Sequence, residues 1–150
     1  MVWGGISAKG ATPLVILEAQ GTALTAVDYQ KQVLGVVKIF CDQEDASSIP
    51  LMQDNAPVIS AALTTRSMTA RKIKTFPRGG MKWQANSPDL KPIENVWFWM
   101  KQELYRLDSY PTTHETMVHE LKFFWKRLIP EFCQFYTNGY QKRLKKFVEA

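Results

Sequence analysis

Residues 87–97 read SPDLKPIENVW, and this stretch determines the fold expected for the second half of the chain. Pro92 suits the first turn of a helix, where the N–H that proline lacks would have no helical partner in any case. After Pro92, apolar residues recur with the spacing of one helix face as far as about Leu107. The stretch therefore predicts a loop that enters a helix at Pro92. The positions on the apolar face are Ile93, Val96 or Trp97, Met100 and Leu104.

The same stretch carries two acids, Asp89 in the loop and Glu94 near the start of the predicted helix, where the macrodipole favours an anion. A further acid, Asp54, follows the apolar run 49–53, which predicts a buried strand. Open α/β sheets bind their ligands at the carboxyl ends of the strands. A strand-end Asp and a Glu on a nearby helix would suit Mg²⁺, which prefers carboxylate oxygens. The alternative is that Asp54 only forms a turn and that Glu94 only complements the helix dipole.

The first 40 residues predict a hairpin followed by a helix. Residues 1–6 and 13–18 are strand-like and flank a turn at Lys9-Gly10. Thr25 is placed to cap a helix that continues to about Phe40. The apolar positions of this helix that share one face are Tyr29, Val33, Val36 and Phe40.

The rest of the chain adds further helices and one strand. Residues 58–70 favour a helix, and residues 72–76 favour a short strand. Residues 112–115 (TTHE) fit a capping box that opens a helix to about Leu128, and Pro130 ends it before a final helical segment. This order of elements predicts an α/β sheet with helices on its faces.

Composition bounds the class of protein. The chain has 150 residues, enough for one domain, and no apolar run long enough to cross a membrane. Residues 1–60 hold 3 Lys and Arg against 6 Asp and Glu, whereas residues 61–150 hold 16 against 8, so the net charges are −3 and +8. A basic surface suits DNA phosphates, because each contact releases counterions. A solvated surface that keeps the protein soluble is the alternative.

Cysteines and tryptophans have both structural and functional interpretations. Cys41 and Cys133 lack metal-type spacing, which predicts free thiols in a reducing compartment. Trp97, Trp99 and Trp125 have rings on which nucleic-acid bases could stack. Their helical spacing among Val, Phe and Leu favours the hydrophobic core instead.

Four stretches in order resemble the catalytic domain of the Tc/mariner superfamily of DDE transposases. They are VWGGIS at 2–7, QDNAP at 53–57, SPDLKPIENVW at 87–97 and NGYQKRLKKF at 138–147. The resemblance covers nearly the whole chain, and the combination of QDNAP with SPDL-x-PIEN-x-W is what makes it specific.

The resemblance implies an RNase H-like mixed sheet flanked by helices, with acids that hold Mg²⁺ or Mn²⁺. Carried over by motif, Asp54 is the second catalytic acid and Glu94 is the third. Asp89 remains the alternative third acid, because 34 residues separate it from Asp54, a spacing familiar in the family, whereas 39 separate Glu94 from Asp54. Motif position favours Glu94, since the third acid of the family follows Leu-x-Pro-x.

The resemblance also implies what the protein acts on. Enzymes of this family work in the nucleus, so a nuclear location is expected. They cut transposon ends and join them to target DNA by metal-dependent phosphoryl transfer. The expected partners are therefore transposon-end and target DNA, with a possible homodimer. The alternative function is a non-catalytic DNA-binding or oligomerisation module derived from a transposase. Candidate DNA contacts are Arg78, Lys82, Lys91, Lys142, Arg143, Lys145 and Lys146, although a solvated surface explains the last four equally well.

One acid of the family pattern has no counterpart here. The first catalytic Asp lies on a strand before VWG, and this chain begins at VWG. Asp28 is no substitute, because it lies inside the helix predicted from Thr25. We therefore expect residues 1–150 to form a partial catalytic domain without the N-terminal DNA-binding region and the first catalytic strand. Alone, such a chain is expected to be inactive.

Overall fold

The computed structural model describes residues 1–19, 21, 23–44, 49–53, 56–75 and 91–148, with side chains up to residue 139. The chain forms two compact units. The first unit comprises Met1–Gly4 with Val15–Asn86, and the second unit comprises Gly5–Leu14 with Ser87–Ala150. Among the described residues, no helix is long and apolar enough to cross a membrane.

The predicted hairpin is present as two short antiparallel ladders. Strand β1 (Val2–Trp3) pairs with β4 (Val15–Ile16) in the first unit. Strand β2 (Ile6–Ser7) pairs with β3 (Gly10–Ala11) in the second. Gly10 has a φ of +133°, which L side chains rarely adopt, so the glycine permits the turn that the sequence predicted at Lys9-Gly10.

The helix predicted from Thr25 is confirmed, with a change of pitch inside it. Helix α1 (Ala26–Tyr29) leads into a π-helical turn (Gln30–Leu34) and then into α2 (Gly35–Gln43). Thr25 caps α1 in a capping box, because its hydroxyl accepts from the Asp28 N–H while the Asp28 carboxylate accepts from the Thr25 N–H. Asp28 is thus a buried capping residue.

The π-helical turn displaces the apolar face of this helix. Tyr29 and Val33 are buried as predicted, at 2% and 0% exposure. Beyond them the prediction is wrong: Val36 and Phe40 are only partly buried, and Val37 takes the core position. A π turn carries one more residue than an α turn, so every later position on the face moves by one residue.

Where the structure describes the rest of the first unit, there is less strand than predicted. In the described parts of the two predicted strands, residues 49–53 and 72–75, one parallel bridge forms between Leu51 and Thr75, and the Leu51 N–H donates to the Lys74 carbonyl at 2.8 Å. Ile49 is exposed, so the run 49–53 is not the buried strand that its apolar character predicted. The burial of Leu51 is only partial.

The helix predicted over 58–70 is present in two pieces. Helix α3 (Pro57–Ser60) and helix α4 (Ala62–Ala70) are separated at Ala61, whose ψ of 141° is extended. These elements pack around one apolar core of the first unit. Its buried members are Leu17, Tyr29, Val33, Leu34, Val37, Met68 and Ile73.

In the part of the second unit that the structure describes, there are three helices together with the β2–β3 ladder. Helix α5 (Pro92–Tyr105) begins at the predicted proline, α6 is His114–Trp125, and α7 (Pro130–Val148) starts at the proline that was predicted to end α6. The capping box of α6 lies one residue later than predicted. Thr113 is the cap, and the Thr116 hydroxyl rather than the Glu115 carboxylate completes the box.

Trp125 lies at the centre of the second unit. Its ring stacks on that of Trp97 with centroids 5.2 Å apart, and its Nε1–H donates to the Thr12 carbonyl at 2.7 Å. The preference for the core over base stacking is therefore confirmed for Trp125. The buried members of this core are Val96, Met100, Leu104, Phe124, Trp125, Leu128 and Cys133.

Both cysteines are free thiols, as predicted. Cys133 is fully buried, and burial raises the pKa of its thiol to about 11, because the thiolate would lose its hydration. A thiol in this state is a small apolar packing group and not a nucleophile.

Candidate active site

Glu94 occupies the first turn of α5. Lys91 is the residue before Pro92 and has the extended backbone that a following proline favours, with φ −88° and ψ 116°. The Glu94 N–H donates to the Lys91 carbonyl at 3.1 Å, which closes the first turn. The side chain of Glu94 is exposed and makes no ion pair with any residue that the structure describes. Its carboxylate oxygens are therefore available to a hard cation.

The opposite face of α5 fixes this orientation. Val96 and Met100 are buried at 0% and 1% exposure, and Leu104 continues the same face. Because side chains three and four residues apart share a helix face, burying these residues directs Glu94 towards solvent. The apolar stripe predicted from the sequence thus positions the acid.

On the first unit, the residue before Asp54 is held by a buried tyrosine. The Tyr29 hydroxyl donates to the Gln53 side-chain oxygen, while the Gln53 Nε2 lies 3.6 Å from the Met68 sulfur. The spacing of apolar residues predicts only that Tyr29 lies on an apolar helix face. Its hydroxyl was the one indication that it needed a polar partner. The contact anchors the chain immediately before Asp54.

Several candidate residues lie outside the part of the chain that the structure describes. They are Asp54, Asp89, Arg78 and Lys82, together with the side chains of Lys142, Arg143, Lys145 and Lys146. Lys91 is described and is buried, at 9% exposure. Within the described residues no group of three or more His, Cys, Asp or Glu side chains could hold a metal. The pairing of Asp54 with Glu94 stays a prediction.

No protein-family model matches the chain. In sequence, it is 26% identical over 113 residues to the Tc3 transposase of Caenorhabditis elegans. That alignment covers 75% of this chain but only 32% of the Tc3 transposase. The chain therefore spans about a third of the length of this curated relative.

In structure, the chain is similar to the Mos1 mariner transposase. Against the Mos1 paired-end complex with the left transposon end, the TM-score is 0.74 at 20% identity, covering 97% of this chain and 40% of that one. Against the Mos1 catalytic domain with Raltegravir and Mn, it is 0.73 at 19% identity, covering 97% of this chain and 70% of that one. The fold is therefore α/β and that of a mariner transposase catalytic domain. Together with the Tc3 match, this confirms the resemblance to Tc/mariner transposases.

Proposed function

We propose that this chain is part of the RNase H-like catalytic domain of a Tc/mariner DDE transposase, in which Asp54 and Glu94 hold a divalent cation. The observation that carries the proposal is the exposed carboxylate of Glu94, at the position that follows the SPDL motif. The likeness to a Mos1 catalytic domain solved with Mg and with Mn supports a divalent ion here. An oxygen-only pair of ligands suits Mg²⁺ or Mn²⁺ better than Zn²⁺.

The named residues have different proposed roles in phosphoryl transfer. Asp54 and Glu94 would hold the divalent cation, which when bound would supply polarisation of the scissile phosphate and stabilisation of charge on the attacking and leaving oxygens. Glu94 contributes a fixed negative charge from the end of a helix that is anchored by its buried face. Tyr29, through Gln53, restrains the segment that leads to Asp54. Glu94 is thus presented from a supported helix turn, which limits the reorganisation needed when an ion binds.

DNA is the proposed substrate, as transposon end and as target. The net charge of +8 over residues 61–150 supports phosphate contacts. The similar structures include Mos1 paired-end complexes, one of them with the left transposon end, which supports DNA as the partner. A homodimer is part of the proposal and has no support of its own from these structures. The alternative, a non-catalytic module derived from a transposase, is less well supported, because the similar structures include the catalytic domain itself.

Titration of Mn²⁺ into the chain by calorimetry tests the two-acid proposal. Glu94→Gln keeps the size and polarity of the side chain but removes its charge, so the affinity for Mn²⁺ is expected to fall at least about tenfold. Glu115→Gln is the matched control, because Glu115 is also an exposed acid in the first turn of a helix. A parallel Asp89→Asn variant decides between the two candidate third acids.

Three results would contradict the proposal. One is an Mn²⁺ affinity that Glu94→Gln leaves unchanged, and another is an equal loss in Glu115→Gln, which would indicate a diffuse charge effect. A loss confined to Asp89→Asn would move the third acid to Asp89.

A further inference from the structure

The outer face of α5 carries an unusual set of side chains. Glu94, Phe98, Lys101 and Tyr105 are spaced by four, three and four residues, which places them within about 60° of one another around the helix and along about 16 Å of its axis. All four are exposed. The candidate catalytic acid is thus the first residue of a stripe that continues as aromatic, cation and aromatic.

The two rings on this stripe are largely in water. Phe98 is 65% exposed and Tyr105 is 61% exposed. A single exposed aromatic residue needs no explanation, but two on one face with a cation between them form a patch. Among the described residues, Phe98 stacks on no other ring, and 65% of the residue is exposed.

The far end of the stripe is already organised. The Lys101 ammonium lies 5.9 Å from the centroid of the Tyr105 ring, and Tyr105 stacks on Tyr110 with centroids 5.6 Å apart. Neighbouring cations are engaged elsewhere, because Arg106 and Arg127 both pair with Glu103. Lys101 forms no ion pair with a described carboxylate, so its ammonium group can contact an external anion.

We propose that this outer face of α5, defined by Glu94, Phe98, Lys101, Tyr105 and Tyr110, binds a DNA strand with unpaired bases beside the phosphodiester that is cut. The inference rests on the proposed function and adds the path of the strand. Exposed rings bind the faces of bases, and in an intact duplex those faces are covered by stacking. Lys101 provides a phosphate contact between the two ring positions.

Charge and position favour DNA over a protein partner. The stripe begins at the acid proposed to act on a phosphodiester. Residues 61–150 as a whole carry a net charge of +8, and within α5, which holds one Lys and two Glu, Lys101 is the cation on the stripe. The core of a protein interface is depleted of charged residues. On this stripe, Lys101 lies between the two rings and Glu94 lies at one end. A DNA strand, in which phosphates alternate with bases, can place a phosphate near Lys101 and bases near the rings.

The test is fluorescence anisotropy with the full chain, a labelled oligothymidylate and a duplex of the same length, in EDTA so that metal binding does not contribute. Phe98→Ala is expected to weaken binding of the single strand at least about fivefold, because one stacked base is lost. Phe135→Ala is the matched control, since Phe135 is 76% exposed on α7. It is expected to leave the affinity unchanged.

Lys101→Gln supplies an independent electrostatic readout. Loss of one phosphate contact should reduce the slope of log affinity against log salt by about 0.7 for the single strand. Lys122→Gln, which removes an exposed lysine from α6, should leave the slope as it is. Circular dichroism of each variant confirms that it is folded.

Several outcomes would overturn the inference. They are equal losses in Phe98→Ala and Phe135→Ala, preference for the duplex over the single strand, and a change in sedimenting mass with Phe98→Ala, which would make the face a contact between protein chains. The anisotropy assay contains no divalent ion and therefore tests strand binding alone. A negative result there would refute the strand path on α5 without bearing on the metal site, which the Mn²⁺ titration tests.

Discussion

Replacing Trp125 with alanine is expected to lower the free energy of unfolding by about 3–5 kcal/mol. The side chain is 6% exposed and stacks on Trp97, so its removal leaves a large apolar cavity. It also leaves the buried Thr12 carbonyl without the indole N–H that it accepts at 2.7 Å. Urea denaturation followed by circular dichroism measures the change.

Phe123→Ala is the control for this substitution, because Phe123 lies on the same helix but is 55% exposed. Its loss should cost less than about 1 kcal/mol. If Trp125→Ala were no more costly than Phe123→Ala, the interpretation of Trp125 as the central residue of the second core would be wrong.

Replacing Leu34 with alanine is expected to lower the free energy of unfolding by about 2–5 kcal/mol. Leu34 is 0% exposed because the π-helical turn Gln30–Leu34 brings it onto the face that Tyr29 begins. In an uninterrupted α-helix, a residue five positions after Tyr29 would lie about 140° away from it around the axis. The cost of this substitution therefore tests the π turn.

Ile39→Ala is the matched control on α2, where Ile39 is 57% exposed. It removes a side chain of the same size and should change stability by no more than about 1 kcal/mol. A small effect of Leu34→Ala together with a large effect of Ile39→Ala would indicate a regular helix with its buried face elsewhere.

The sequence predicted those elements whose signals are local. Pro92, the stripe after it and Pro130 marked helix boundaries, because proline fixes φ and lacks a donor wherever it lies. Lys9-Gly10 marked the hairpin turn for a similar reason, since Gly10 adopts a positive φ. Each of these predictions depends on one or two residues and not on distant packing.

The errors arose where tertiary packing or hydrogen bonding decided between close alternatives. The π turn moved the core position from Val36 to Val37, and an apolar periodicity with an α period cannot anticipate an inserted residue. The capping box moved from Thr112 to Thr113, because either threonine hydroxyl is chemically suitable. Such shifts of one residue change which side chain is buried without changing the element.

The residues of the candidate site were predicted mainly from the positions of sequence motifs, and less from the chemical properties of the individual side chains. QDNAP and SPDLKPIENVW pointed to Asp54 and Glu94, and the structure gives Glu94 an exposed carboxylate in the first turn of α5. The contact between Tyr29 and Gln53 was not predictable, because the two residues are 24 positions apart and Tyr29 fitted an apolar helix face. Only packing reveals a polar contact of that range.

Iron-mediated cleavage of the polypeptide tests most directly whether Asp54 and Glu94 share one ion. Fe²⁺ takes the place of Mg²⁺ at oxygen ligands, and with ascorbate and peroxide it releases radicals that cut the backbone beside its ligands. We predict cuts near both residues 54 and 94, suppressed together by excess Mg²⁺, with Glu94→Gln also abolishing the cut near 54. Cleavage near residue 54 that persists in Glu94→Gln, or cleavage near neither acid, would contradict a shared site.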